Sequence, residues 1–306
     1  MDRRDFLVRT AAAGLATGAR TAPASAASAL FVATNTYPWT TFAARAGGTF
    51  VLHSDEALAA VASAGFTGYE PIISEVAEFE GLGPRLRAHG LEMRSLYVNS
   101  TLHDDASSAA SMGHVLDIAR RAVEVGTRVI VTNPSPIRWG GPENKTDAQI
   151  RSQAVALDRL GRELGALGLT LAYHNHDDEL RLGAREFHHM LTATDPAHVR
   201  FCLDAHWVFR GCGDSQVAPF DALEHYGDRI VELHLRQSRG GVWSEVFSAD
   251  GDIDYGRLAS WLQRHGLRPQ LTLEQAVENG SPNTQDAAAA HRQGLAVVRD
   301  VFRQPG

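Results

Sequence analysis

Leu169-Thr170-Leu171-Ala172-Tyr173-His174 is a short apolar run that stops on a side chain able to bind a metal, and three later runs do the same. Residues 199–203 lead into Asp204, 229–233 into His234, and 270–273 into Glu274. Thirty residues separate His174 from Asp204, thirty separate Asp204 from His234, and forty separate His234 from Glu274. A strand, a loop, a helix and a return loop need about that much chain. Parallel strands in one sheet would then carry two imidazoles and two carboxylates to the same edge.

The rest of the chain repeats the pattern. Strands are expected at 30–34, 68–72, 91–98 and 128–132, and then at the four runs above. Helices are expected at 55–64, 75–89, 106–125, 147–167, 184–193, 219–226, 255–265 and 284–302. Gly65, Gly90, Gly126, Gly168 and Gly266 each sit just past a predicted helix, where glycine takes the left-handed conformation cheaply. Strict alternation implies a parallel sheet, and eight units imply a single-domain α/β fold, a closed (β/α)₈ barrel. An open doubly wound sheet is the competing architecture. Against it, the first βα turns lack the glycine patterns of nucleotide-binding loops. Residues 35–54, with Tyr37-Pro38-Trp39, read as a long loop able to cover the barrel mouth.

The ends and the composition narrow the function. Arg3-Arg4-Asp5-Phe6-Leu7, a weakly apolar stretch at 10–19 and small residues at 22–29 form a twin-arginine export signal, expected to be cleaved. The mature domain would be 30–306, periplasmic or secreted, with no membrane association. It would keep 25 basic and 34 acidic residues, a net charge of −9. That balance opposes nucleic acid as a partner. Cys202 and Cys212 are the only cysteines, and a fold with this much core does not need a disulfide.

Active sites of such barrels lie at the C-terminal strand ends. Tyr173-His174-Asn175-His176-Asp177-Asp178-Glu179 is the densest polar cluster at such an end. His174, Asp204, His234 and Glu274 are the candidate metal ligands, with His176 an alternative to His174. One divalent cation (Mn²⁺, Co²⁺, Zn²⁺, Fe²⁺ or Mg²⁺) is the expected cofactor. Arg236, two residues beyond His234, would point the same way and hold a substrate oxygen. Trp39 and Trp207 offer aromatic faces to a sugar ring, as do Trp139 and Trp243. Glu70 and Asn99 are further substrate-binding candidates.

These residues resemble the xylose isomerase-like TIM-barrel superfamily, in its sugar phosphate isomerase/epimerase branch. Asp204, His234 and Glu274 match three of the metal positions of that family, and Trp207 matches three residues after the aspartate. Asp250-Gly251-Asp252-Ile253-Asp254 resembles the Gly-x-Ile-Asp segment before its seventh helix. The family's Glu-Asn-His appears here as His174-Asn175-His176, as in a branch carrying Tyr-His-Asn-His. The resemblance implies a metal-dependent isomerase or epimerase working through an enediolate on a carbohydrate, in a barrel that often pairs as a homodimer. It also implies Glu274 as one proton carrier. With histidine at 174, Glu179 or His176 would have to be the second. A dehydratase acting on keto-inositols or a lyase acting on 3-keto-glycosides fits one base and one acid equally well. Export argues for an unphosphorylated sugar or keto-sugar. A non-catalytic periplasmic sugar-binding protein is the reading from another class.

Overall fold

The computed structural model describes residues 30–303; residues 1–29, read above as an export signal, lie outside them. Eight strands form one parallel sheet: β1 (Val32–Asn35), β2 (Gly68–Glu70), β3 (Ser95–Tyr97), β4 (Val129–Thr132), β5 (Thr170–His174), β6 (Val199–Asp204), β7 (Ile230–Leu235) and β10 (Gln270–Leu273). Their order is β2-β1-β10-β7-β6-β5-β4-β3. The ends of that series meet. Tyr69 N–H donates to the Glu92 carbonyl at 2.9 Å and Tyr97 N–H to the Pro71 carbonyl at 2.8 Å. The sheet is a nearly closed barrel. A small antiparallel hairpin, β8 (Ser238–Arg239) and β9 (Val242–Trp243), follows β7 on the side of the strand C-termini.

Ten α-helices lie among the described residues: α1 (Thr36–Arg45), α2 (Asp55–Ser63), α3 (Leu82–Ala88), α4 (Asp105–Glu124), α5 (Asp147–Ala166), α6 (Arg181–Thr192), α7 (Ala205–Gly211), α8 (Ala218–Tyr226), α9 (Tyr255–Arg264) and α10 (Ala287–Val301). Helix α5 shows how the sequence specifies them. Thr146 and Gln149 close a reciprocal capping box at its start. Ile150, Gln153, Ala154, Leu157, Leu160, Gly161 and Leu164 then form one buried face at helical spacing. Each fully buried leucine there contributes roughly 1.5–3 kcal/mol.

Four sequence expectations change. The segment read as the loop 35–54 contains α1, because Asn35 caps it by accepting from Tyr37 N–H and Pro38 sits in its first turn. The helix expected at 75–89 divides into a 3₁₀ turn, Val76–Phe79, and α3, with Gly81 between them at φ +65°. The strand expected at 91–98 shortens to Ser95–Tyr97. Helix α7 was not expected, since seven residues carry too little periodicity to show. Cys202 and Cys212 are free thiols. No helix among the described residues is long and apolar enough to cross a membrane.

His291 of α10 is buried and stacks on Trp39 with ring centroids 4.5 Å apart. Burial holds its imidazole down at about 4, against the opposing hydrogen bond to the Ala287 carbonyl. The folded state therefore keeps His291 neutral, whereas the unfolded chain protonates it near 6.5. Its stabilising contribution is complete above about 6.5 and is lost as pH falls toward 4. At about 1.4 kcal/mol per unit, this group should remove about 2 kcal/mol between pH 6.5 and 5. Urea unfolding of His291→Leu at the two pH values should show a fall smaller than wild type by that amount.

Candidate active site

The polar residues at the strand ends are almost all out of water. His174, Asp204, His234 and Arg236 are buried to 1% exposure or less, and Glu274 to 7%. Buried ions persist only when paired, and here the pairing forms a chain of alternating sign. Glu70 Oε1 lies 2.9 Å from His234 Nε2, and His234 Nδ1 lies 3.0 Å from Glu274 Oε2. Glu274 Oε2 is 2.8 Å from Arg236 Nη2, which is 4.0 Å from Asp204 Oδ2.

His174, Asp204 and Glu274 each bring one ligand atom into a group whose atoms all lie within 4.8 Å of one another. His234 stands against this triad, its ring centroid 4.6 Å from that of His174. Two side-chain atoms of these residues, His174 Nδ1 and Asp204 Oδ2, are buried without a hydrogen-bond partner. Burial, reinforced by His234, pushes the His174 imidazole well below its ordinary range, so it is neutral with a lone pair to give. Burial raises the Glu274 carboxyl, but Arg236 and then His234 overcome this and hold it at about 2. Burial pushes Asp204 up to about 6 despite Arg236. Orphaned N and O donors on neutral imidazole and carboxylate fit a divalent cation of the borderline type.

Asp204 has a second task. Its Oδ1 accepts from the N–H groups of His206 at 2.8 Å and Trp207 at 3.0 Å, which caps α7. Asn175 ties β5 to β6 from the side, donating to the Asp204 carbonyl at 3.1 Å and accepting from Asp204 N–H at 3.2 Å. Asn133 donates to the His174 carbonyl and to Glu179 Oε1, both at 3.0 Å.

Above the triad a cavity of about 390 Å³ is walled by Tyr37, Ile72, Tyr97, Asn99, Trp139, His176, Trp207, Arg236 and Glu274. His176 lies between two indoles, with centroids 5.1 Å from Trp139 and 5.4 Å from Trp207. Burial lowers its pKa to about 3, and its Nδ1 has no partner.

Several sequence candidates fall elsewhere. Glu179 does not line the cavity; both its oxygens are taken, by Asn133 and by His176 N–H at 2.6 Å. Trp39 is buried in α1 against Phe50 and His291, its indole N–H on Thr34 Oγ1 at 3.1 Å, away from the cavity wall. Glu70 is wholly buried beneath His234 rather than facing the cavity. Trp243 packs over Arg236 at 4.4 Å. Asp252, from the motif at 250–254, holds the hairpin through Ser238 and the Gly240 and Gly241 N–H groups. Sequence reading missed Tyr97 and Asn133. Each ends or follows an apolar strand run, the same signal that marked His174.

A family model described as a xylose isomerase-like TIM barrel matches residues 58–301. An inosose dehydratase of Lacticaseibacillus casei is 24% identical over 174 residues; the match covers 51% of this chain and 57% of the relative. Among solved structures, a sugar phosphate isomerase/epimerase from Parabacteroides distasonis superposes with a TM-score of 0.69 at 18% identity, covering 92% of this chain and 98% of the other. The apo form of a 3-keto-D-glucoside 4-epimerase from E. coli gives 0.67 at 15% identity, covering 89% and 99%.

Asn175 offers a direct test of how the site is held. Asn175→Ala should lower stability by about 1–3 kcal/mol, because it removes the buried side chain that bonds both the Asp204 N–H and the Asp204 carbonyl. Urea denaturation of the purified variant measures this.

Proposed function

This chain belongs to the xylose isomerase-like TIM-barrel family, and from that premise we propose that it removes and returns a proton next to the carbonyl of an unphosphorylated keto-sugar, as a metal-dependent isomerase or epimerase. The observation that carries this reading is the His174, Asp204 and Glu274 triad, with two orphaned buried ligand atoms, opening on a cavity that also presents His176.

His174, Asp204, Glu274 and His234 would hold the cation. The cation, when bound, supplies Lewis-acid polarisation of a substrate carbonyl and makes the neighbouring C–H more acidic. The protein's own residues do the rest. Glu274 is ionised, and its carboxylate faces the cavity to take the carbon-bound proton. His176, with a free Nδ1 in the same wall, would be the second proton carrier: it takes a proton from solvent at Nδ1 and passes it to the enediolate, while Glu274 returns the proton it removed to water. Glu179 fixes His176 by accepting its N–H instead of moving protons itself. Arg236 steadies Glu274 and faces the space where negative charge would grow. Trp139, Trp207 and Tyr97 supply flat apolar faces and limit water.

The lack of a phosphate group follows from the cavity's charges. Its two arginines are committed, Arg236 to Glu274 and Arg181 to Asp178, while Asp177, Asp178 and Glu274 line the same wall. A phosphate dianion would meet these carboxylates with no uncommitted arginine to pair with. Export through the twin-arginine route, which places the protein outside the cytoplasm, belongs to the same proposal.

A dehydratase or lyase is the second reading. An inosose dehydratase is among the curated relatives this chain resembles. A single cavity-facing carboxylate ligand paired with a histidine suits removal of a proton from one atom and delivery to a leaving oxygen. Both readings share the first step. Protein loaded with Mn²⁺, Co²⁺ or Zn²⁺ should therefore exchange deuterium from D₂O into the position beside the ketone of free ketoses, keto-inositols or 3-keto-glycosides, followed by NMR. Exchange with the carbon skeleton and substituents intact identifies an isomerase or epimerase. Loss of water or of the aglycone identifies the second reading. Turnover confined to phosphorylated sugars would overturn the substrate class, and sugar binding without exchange under any cation would identify a binding protein.

A further inference from the structure

Glu70 is a wholly buried carboxylate on β2, and its position is over-determined. Asn35 Nδ2 donates to its Oε1 at 2.7 Å, and Ser95 Oγ donates to its Oε2 at 2.7 Å. Its Oε1 then faces His234 Nε2 at 2.9 Å. These three residues come from β1, β2 and β3, across the barrel from β7, which carries His234. Below them, Glu232 Oε1 is held by Thr272 Oγ1 at 2.5 Å and Gln270 Nε2 at 3.0 Å, and lies 3.0 Å from Ser95 Oγ. The barrel interior therefore contains a built polar floor rather than a stray acid. An apolar floor would cost less, since burying a carboxylate costs several kcal/mol that only pairing and hydrogen bonds offset.

The group served is His234. Its two ring nitrogens face opposite ways: Nδ1 toward Glu274 and the ligand triad, Nε2 toward Glu70. We infer that Glu70 is a positioning residue for the metal site. Its carboxylate stands 2.9 Å from Nε2, favours a proton on that nitrogen by its charge, and leaves Nδ1, which faces Glu274, as the nitrogen offered to the cation. A ligating histidine is commonly held this way by a carboxylate behind it, which orients the ring and makes it a better donor. Asn35 and Ser95 hold Glu70 in turn. The role spans four strands and reaches a residue that touches neither cavity nor substrate. It rests on the metal-dependent reading above.

The test is cation affinity, measured by titration calorimetry with Mn²⁺ and Zn²⁺ on chelator-stripped protein, with the visible absorption of the Co²⁺ form as a second readout. Glu70→Gln keeps the shape and removes the charge. It should weaken binding about 10–100-fold and alter the Co²⁺ spectrum. Ser95→Ala loosens one anchor of Glu70 while leaving the carboxylate in place. It should weaken binding in the same direction by a smaller factor, and it decides the matter if Glu70→Gln does not fold. Equal affinity and an unchanged spectrum in the folded variants would overturn the role of Glu70 while leaving the metal reading intact. A wild-type protein that binds none of these cations would overturn the metal reading itself.

Discussion

Removing a charge from water costs several kcal/mol, and the interior of this barrel contains five in a row. Glu70, His234, Glu274, Arg236 and Asp204 satisfy that constraint by alternating in sign along one path. With His234 protonated, three carboxylates face two cations, and the path is one positive charge short of neutral. A divalent cation that displaced the His234 proton would bring the sum to zero. The arrangement explains why Arg236, a residue seldom found inside proteins, is wholly enclosed and roofed by Trp207 and Trp243. It also explains why Glu274 remains ionised where burial alone would protonate it.

The closed barrel supplies the geometry. Its strands are staggered, so neighbouring ends do not lie at equal heights. His174 pairs in register with Cys202, two residues before Asp204, and His234 pairs with Thr272, two residues before Glu274. Only Asp204 and His234 sit side by side. These four strand-end residues are thus assembled up a slope, which the strand tilt turns back into a cluster.

Much of this was legible in the sequence, for a physical reason. Buried parallel strands are continuous apolar runs, so the first polar residue after each run marks the rim. That rule found His174, Asp204, His234 and Glu274. It applies as well to Asn133, which directly follows the β4 run and was not among the candidates. What the rule does not give is depth. A strand buried on both faces has no polar alternation to show which side chains enter the barrel, so Glu70 read as a rim residue although it lies beneath His234. Trp39 was misplaced for a different reason. Asn35 and Pro38 are start signals for a helix, but the apolar run after them is too short to show a period. Glu179 read as a proton carrier from its place in an acidic cluster; only the fold shows both its oxygens spent on Asn133 and His176.

Asp204 is where two selective demands meet. One oxygen begins helix α7, which carries Trp207 into the cavity wall, and the other is buried without a partner, the one proposed to meet an ion. Alanine at this position would fail both demands, and glutamate would reach past the cap. Asparagine would keep the cap and surrender the anionic ligand. Substitutions here are filtered twice, once for folding and once for chemistry, so in a lineage that had abandoned catalysis the helix would still hold asparagine or aspartate in place. A change from aspartate to asparagine at position 204 would therefore mark lost chemistry in a barrel that still folds.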